Sequence, residues 1–310
     1  MRETVLPGVI DRHVHLGLVH AEALRATQVV EVHDLGWDPA AIAGVARRLH
    51  PDVRVRYAGP FHTAVGGYPS GRSWAPDAAI REVRGAGDAR AAVGDARSAG
   101  AFAVKIALNA ELPLLDDETL AALIGAAHDA GLPALVHAEG AGQAHRAIAA
   151  GADALVHTPW TEHLPLEVVA DAVARGMRWI STLAIHEGHA QGIAVDNARR
   201  FVDLGGHLLY GTDLGNGPSP IGVNETEILL LGECGLRGDA LLRAVFGAVG
   251  ATPPAIALAG DGPQPRTAVE LVAWLRSARR INSIEPVSIE PVSTTPVSTT
   301  PVSITPKETR

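Results

Sequence analysis

The chain has 310 residues, 47% hydrophobic and 19% charged, which is enough apolar material for a sizeable core. A formal charge of −8 with no long basic run excludes a general nucleic-acid binder. The single cysteine, Cys234, excludes an intrachain disulfide and a cysteine-based zinc ribbon, and no apolar run approaches the ~18 residues of a membrane span.

In chain order, β-like runs fall at 4–16, 28–33, 53–58, 102–108, 133–137, 154–157, 178–183 and 207–211. Helix-like stretches lie between them at 38–49, 88–99, 117–130, 143–150, 166–175 and 197–204. Several of these begin at Asp or Asn and end near Gly, as helix starts and stops do. Eight such strands are the number of a closed (β/α)8 TIM barrel, whereas open doubly wound sheets have five or six. No Gly-x-Gly-x-x-Gly follows the first strand, so a dinucleotide fold is the weaker reading. From Ile284 the sequence becomes a five-residue repeat with a proline in every unit, which forbids continuous helix and interrupts a strand ladder. The expected organisation is a barrel over 1–280 and a disordered low-complexity tail over 281–310. The N-terminus lacks a basic-then-apolar signal pattern, so a cytoplasmic protein acting on a small molecule is expected, with homo-oligomerisation left open.

Polar residues at the C-terminal ends of barrel strands point into the mouth where barrel enzymes work. His13 and His15 close the first strand, and a spacing of two puts both imidazoles on one face. Lys105 lies in the fourth strand, His137 ends the fifth, His157 the sixth, and Asp213 follows the eighth. These six residues converge if the barrel closes.

The segment Pro7-Gly-Val-Ile-Asp-Arg-His-Val-His-Leu16 resembles the signature that opens the barrel of the amidohydrolase superfamily. Lys105, His137, His157 and Asp213 follow in that family's order. Gly59 to Tyr68 and Ser181-Thr-Leu183 are similar to segments of its imidazolonepropionase-like and prolidase-like branch. The resemblance covers roughly residues 4–276. It implies two divalent ions, zinc first, with manganese, iron or cobalt as substitutes: His13 and His15 on one, His137 and His157 on the other. Lys105 would bridge them as a CO2-derived carbamate. The implied reaction is hydrolysis of an amide, cyclic amide, ester or lactone by a metal-bound hydroxide, with Asp213 as metal ligand and general base and acid. Most members of that branch carry a β-sandwich built from residues on both sides of the barrel. Here only Met1 to Leu6 precede the signature, so a compact or truncated member is expected, with 268–274 either a remnant strand or a closing helix.

His62, Tyr68 and His186, on loops after strands three and seven, are candidates for substrate contacts; Asn224 and Glu227 are weaker ones. Simpler readings stand beside these. Lys105 could pair with an acidic neighbour, Asp213 could be a turn residue, and His62 and His186 could be solvated loop residues. A phosphotriesterase-like lactonase and a catalytically inactive metal-binding barrel are the competing functions.

Overall fold

The opening strand is divided at Gly8. A Cβ there would lie 2.3 Å from both methyls of Val30, so glycine is what lets the chain cross the next barrel strand this closely. In the computed structural model, which describes residues 3–247 and 256–282, β1 (Glu3–Pro7) lies before this crossing and β2 (Val9–Val14) runs into the barrel.

Beside β2 lie β3 (Val29–Asp34) and β4 (Arg54–Tyr57), all parallel. After Gly59 the third barrel strand resumes as β5 (Phe61–Thr63), which carries a short outer strand, β6 (Ile80–Glu82). Parallel pairing continues from β5 through β7 (Val104–Asn109), β8 (Ala134–Glu139), β9 (Ala154–Val156) and β10 (Arg178–Ile180) to β11 (His207–Leu209). The ring closes at two seams. The Phe102 N–H donates to the Tyr57 carbonyl at 3.0 Å, and the Arg12 and His15 N–H groups donate to the carbonyls of Tyr210 and Leu214 at 3.2 and 2.7 Å. With β4 and β5 counted as one strand, the eight expected strands surround the axis.

Outside them lie α1 (Pro39–Leu49), α2 (Ala86–Ser98), α3 (Asp117–Asp129), α4 (Gln143–Ala149), α5 (Leu166–Ala174), α6 (Gly188–Asp203), α7 (Glu225–Glu233) and α8 (Gly238–Phe246). The carboxylates of Asp38 and Asp116 cap α1 and α3 by accepting backbone N–H groups of their first turns. Asn197 does not start a helix as expected; it lies inside α6 and is fully buried. Its side chain accepts from the Leu164 N–H at 3.0 Å and donates to the carbonyls of Pro159 and Glu162, so it holds the loop after β9. The helices α7 and α8 were not expected.

The two ends of the described chain meet in a second, antiparallel sheet. β1 pairs with β12 (Ile256–Asp261), which pairs with β13 (Arg279–Asn282). Residues 268–274 form neither a strand nor part of that sheet but most of α9 (Ala268–Ser277), opened by a reciprocal Thr267–Glu270 cap. Of the two alternatives for 268–274 the helix is the one observed, and the sheet takes its strands from 256–261 and 279–282, where none was expected. The Arg280 guanidinium donates to the carbonyls of Thr27 at 2.6 Å and Asp52 at 3.0 Å, fastening β13 to the barrel. The expected boundary at residue 280 falls within β13, and the rest of the repeat tail lies outside the described residues.

Apolar side chains fill both sides of the barrel wall. Leu135 and Ala103, two residues before His137 and Lys105 on the same strand faces, belong to a small buried cluster with Val156 and Ile180. Between wall and helices, Trp179 on β10 lies flat against Phe201 of α6, centroids 4.0 Å apart and planes 4° from parallel. Both are fully buried. Phe201→Ala should cost about 3–5 kcal/mol through lost transfer energy and an unfilled cavity under Trp179. Urea denaturation checks this, and a loss below about 1 kcal/mol would show that the wall collapses around the gap.

Candidate metal centre

β2 delivers His13 and His15 to the mouth, and the turn after β11 brings Asp213 against them. The Nε2 atoms of His13 and His15 each lie 3.2 Å from Asp213 Oδ1. Yet neither ring nitrogen of His13 makes a hydrogen bond, and Asp213 Oδ1 has no aligned donor, although all three residues are buried. Lone pairs therefore face a common point rather than one another. Two donor atoms each about 2.1 Å from a tetrahedral ion stand about 3.4 Å apart. The spacing of this trio fits ligands of one cation.

The surrounding hydrogen bonds fix how each group is presented. His15 Nδ1 donates to the Gly36 carbonyl at 3.1 Å, leaving Nε2 with the lone pair. The Asn216 side-chain amide donates to Asp213 Oδ2 at 2.8 Å. Asp34 is fully buried and accepts the N–H groups of Leu16 at 2.7 Å and Gly36 at 3.2 Å, binding the ends of β2 and β3 together. Asp11 accepts from the His13 N–H at 3.1 Å and from both the N–H and the hydroxyl of Thr212, at 3.0 and 2.5 Å.

Two more histidines continue the cluster: the His157 ring is 4.6 Å from that of His13, and the His137 ring is 4.9 Å from that of His157. His157 Nδ1 hydrogen-bonds Thr182 Oγ1 at 2.8 Å. The Glu139 carboxylate accepts from His137 Nε2 at 3.0 Å and from the Asn109 amide at 2.6 Å, making Nδ1 the lone-pair nitrogen of His137. Thr182 and Asp213 are the two non-glycine residues with positive φ, at 44° and 53°, among the described residues. For a β-branched threonine this conformation is strained, and strain of this kind gathers where a site imposes geometry.

Burial sets the charge states. It holds His13 and His157 well below the ordinary imidazole range, so both are neutral donors. For His15 burial acts the same way, but the carboxylates of Asp213 and Asp34 outweigh it and raise the pKa. Burial opposes ionisation of Asp213, yet the facing histidines prevail and keep the carboxyl well below its usual range. Burial brings Lys105 down to about 7.

Five of the six candidate ligands, His15, Lys105, His137, His157 and Asp213, line one cavity of about 380 Å3, with His13 buried behind them; Lys105 reaches it from the second residue of β7 rather than from its end. Of the expected substrate contacts, Tyr68 lines this cavity and His186 an adjoining space that also borders Tyr68 and His157. His62 does neither. It is fully buried with both ring nitrogens against the backbone carbonyls of Lys105 and Ala92, so it faces α2 rather than the mouth. Its neighbour Phe61 faces the cavity instead. Asn224 caps α7. Glu227 is buried beneath the loop after β10, where it accepts from the Ala184 N–H at 2.7 Å. Trp74, Trp160, Asn216 and Thr182 were not anticipated. Two hints among them were visible: a Trp three residues after His157, and Thr182 within the Ser181-Thr-Leu183 segment.

Fold and site together define a (β/α)8 barrel with a histidine–carboxylate cluster, fit to hold a metal, at the C-terminal ends of its strands. No protein-family model and no curated protein matches the sequence. Solved structures give a closer likeness: an Xaa-Pro dipeptidase with methionine in its active site superposes with a TM-score of 0.73 at 20% identity, over 90% of this chain and 86% of that one. A putative prolidase from Bifidobacterium longum gives 0.69 at 21% identity, over 84% and 76% of the two chains, and phenylurea hydrolase B gives 0.70 at 15%, over 93% and 88%. The chain thus shares the fold of these enzymes. Among the described residues, no helix is long and apolar enough to cross a membrane.

Burial pushes Glu227 from its ordinary 4.5 up to about 7. The folded state therefore holds a proton that the unfolded chain releases above pH 4.5, and stability falls as pH rises from there to about 7. Glu227→Gln keeps the acceptor but cannot ionise. Between pH 4 and 8 its stability relative to wild type should rise by about 3 kcal/mol. Parallel denaturation curves at the two pH values would refute this charge state.

Proposed function

We propose that the chain is a metal-dependent hydrolase of the amidohydrolase superfamily, cleaving an amide, cyclic amide, ester or lactone bond of a small molecule. The observation that carries the reading is the buried, unpartnered ligand atoms of His13 and Asp213, grouped with His15 at the spacing of one cation's ligands, beside Lys105 and two further histidines at one cavity. Buried polar atoms without partners are costly, and a cation supplies the missing interaction. The hydrolase names of the structural neighbours support the same reaction class.

In this reading His13 and His15 hold one divalent ion and His137 and His157 a second. Neutral imidazoles and a carboxylate suit zinc, with manganese, iron or cobalt as substitutes. Such ions, when bound, polarise a substrate carbonyl and make a water acidic near neutral pH. The remaining steps belong to the protein. Near pH 7 a substantial fraction of Lys105 is neutral, so its lone pair could take up CO2, forming an N–C bond and releasing one proton, and the resulting carbamate would offer its oxygens to the ions. Asp213, ionised at any working pH, accepts a proton from the attacking water and returns it to the leaving nitrogen or oxygen. One water is consumed, the acyl bond breaks, and a carboxylic acid leaves with an amine or alcohol.

Metal analysis of the purified protein by mass spectrometry tests this. About two equivalents are expected, falling to one or fewer in Lys105→Ala. Asp213→Ala should retain most of the metal and lose at least 10²–10⁴-fold in turnover, the usual worth of a general base. Thr182→Ala, which strips His157 of its partner, should weaken metal binding about 10–100-fold. A wild-type protein without metal would remove the hydrolase reading.

A further inference from the structure

Aromatic residues make up only 4% of the sequence, yet they gather at the cavity, lined by Phe61, Tyr68 and Trp74, and at the space adjoining it, lined by Tyr68, Trp74, Trp160 and His186. Phe61, Trp74, Tyr68, His137, Trp160 and His186 form a continuous arc of rings. Successive centroids along it are 6.0, 6.1, 5.2, 5.7 and 4.7 Å apart. The arc has two arms. Trp74 packs on the His15 side of the histidine cluster, and Trp160 stands nearly edge-on to His137 and His157 on the other. Leu18 adds a further apolar face.

Charged recognition groups are distributed differently. Outside the histidine, Lys105 and Asp213 cluster, the cation at the cavity mouth among the described residues is Arg72, an exposed side chain 5.9 Å over the Tyr68 ring. The nearby carboxylates are Glu111, which is exposed, and Glu139, which is engaged by His137 and Asn109. A free ammonium and a free carboxylate each need a dedicated, desolvated counter-charge to be held specifically. This mouth offers rings instead, and ring walls select flat apolar groups by offset and edge-to-face packing.

Resting on the hydrolase reading, we propose that the substrate is a neutral small molecule with an aromatic ring next to the scissile bond, seated between Trp74 and Trp160, rather than a zwitterionic dipeptide.

The test measures binding directly. N-phenylacetamide, N-butylacetamide and glycyl-leucine are titrated against the purified protein by ligand-observed NMR. The phenyl amide should bind at least tenfold more tightly than either of the others. Trp160→Ala should reduce that preference below threefold, Trp160→Phe should keep most of it, and Trp74→Ala serves should the first variant fold poorly. Equal or tighter binding of the dipeptide, a preference indifferent to both tryptophans, or no binding of any probe overturns the proposal. Metal content and turnover of the same preparations judge the hydrolase reading separately. A metal-loaded, active protein without aryl preference loses only the substrate assignment, and an aryl-selective protein without metal loses only the hydrolase.

Discussion

Everything at the mouth depends on the approach of Asp213 to His13 and His15. That contact joins the last barrel strand to the first, so the seam that closes the barrel and the cluster that would bind metal are one structural event. Its support is unusually deep. The Asp11 carboxylate reaches across the seam to Thr212 with two bonds while also holding the His13 backbone. The His15 N–H pairs with the Leu214 carbonyl on the same side. A cluster of like-charged groups would repel itself; neutral imidazoles around one ionised carboxylate do not, and burial keeps His13 and His157 neutral.

The cluster was legible in the sequence because it obeys the two-residue period of a strand and the rule that barrels work at strand C-termini. His13 and His15 share a face for the first reason, and His137, His157 and Asp213 lie toward or just past strand C-termini for the second; Lys105, the second residue of β7, stood out instead as a charge inside an apolar strand run. The helices opened by Asp38 and Asp116 were equally readable, since each signal is local. What failed was information carried by parity or by distant partners. On a strand as short as Phe61–Thr63 nothing local says which face is which, and His62 and Phe61 exchange roles through a shift of one residue. Asn197 looked like a helix start because its amide suits a cap, but it spends its hydrogen bonds on a loop more than thirty residues away in sequence. The small antiparallel sheet was hidden for the same reason, its strands lying at opposite ends of the chain.

The mouth divides its labour by chemistry. Polar contacts within the cluster set ligand tautomers and the charge on Asp213, while the arc of rings shapes what can approach. The two meet at Tyr68, stacked on His137 with 18° between planes, and at Trp160, in edge contact with His137 and His157. Packing therefore orients His137 from one side and its bond to Glu139 from the other. A side chain restrained twice in this way loses little freedom when it meets a ligand.

The sheet joining both ends has a topological consequence. Glu3 pairs with Asp261, and Arg279, the first residue of β13, donates to the Glu3 carboxylate at 2.9 Å, so β1 and β13 flank β12 and run parallel to each other. The strands between them form a closed circuit in which no member is first except by the accident of where translation starts. A linker long enough to return along the length of β12 would join the end of β13 to the start of β1, and the chain could be opened at an exposed loop instead, as circular permutation of other folds allows. The order of the ligands along the polypeptide would change, and their order around the barrel would not.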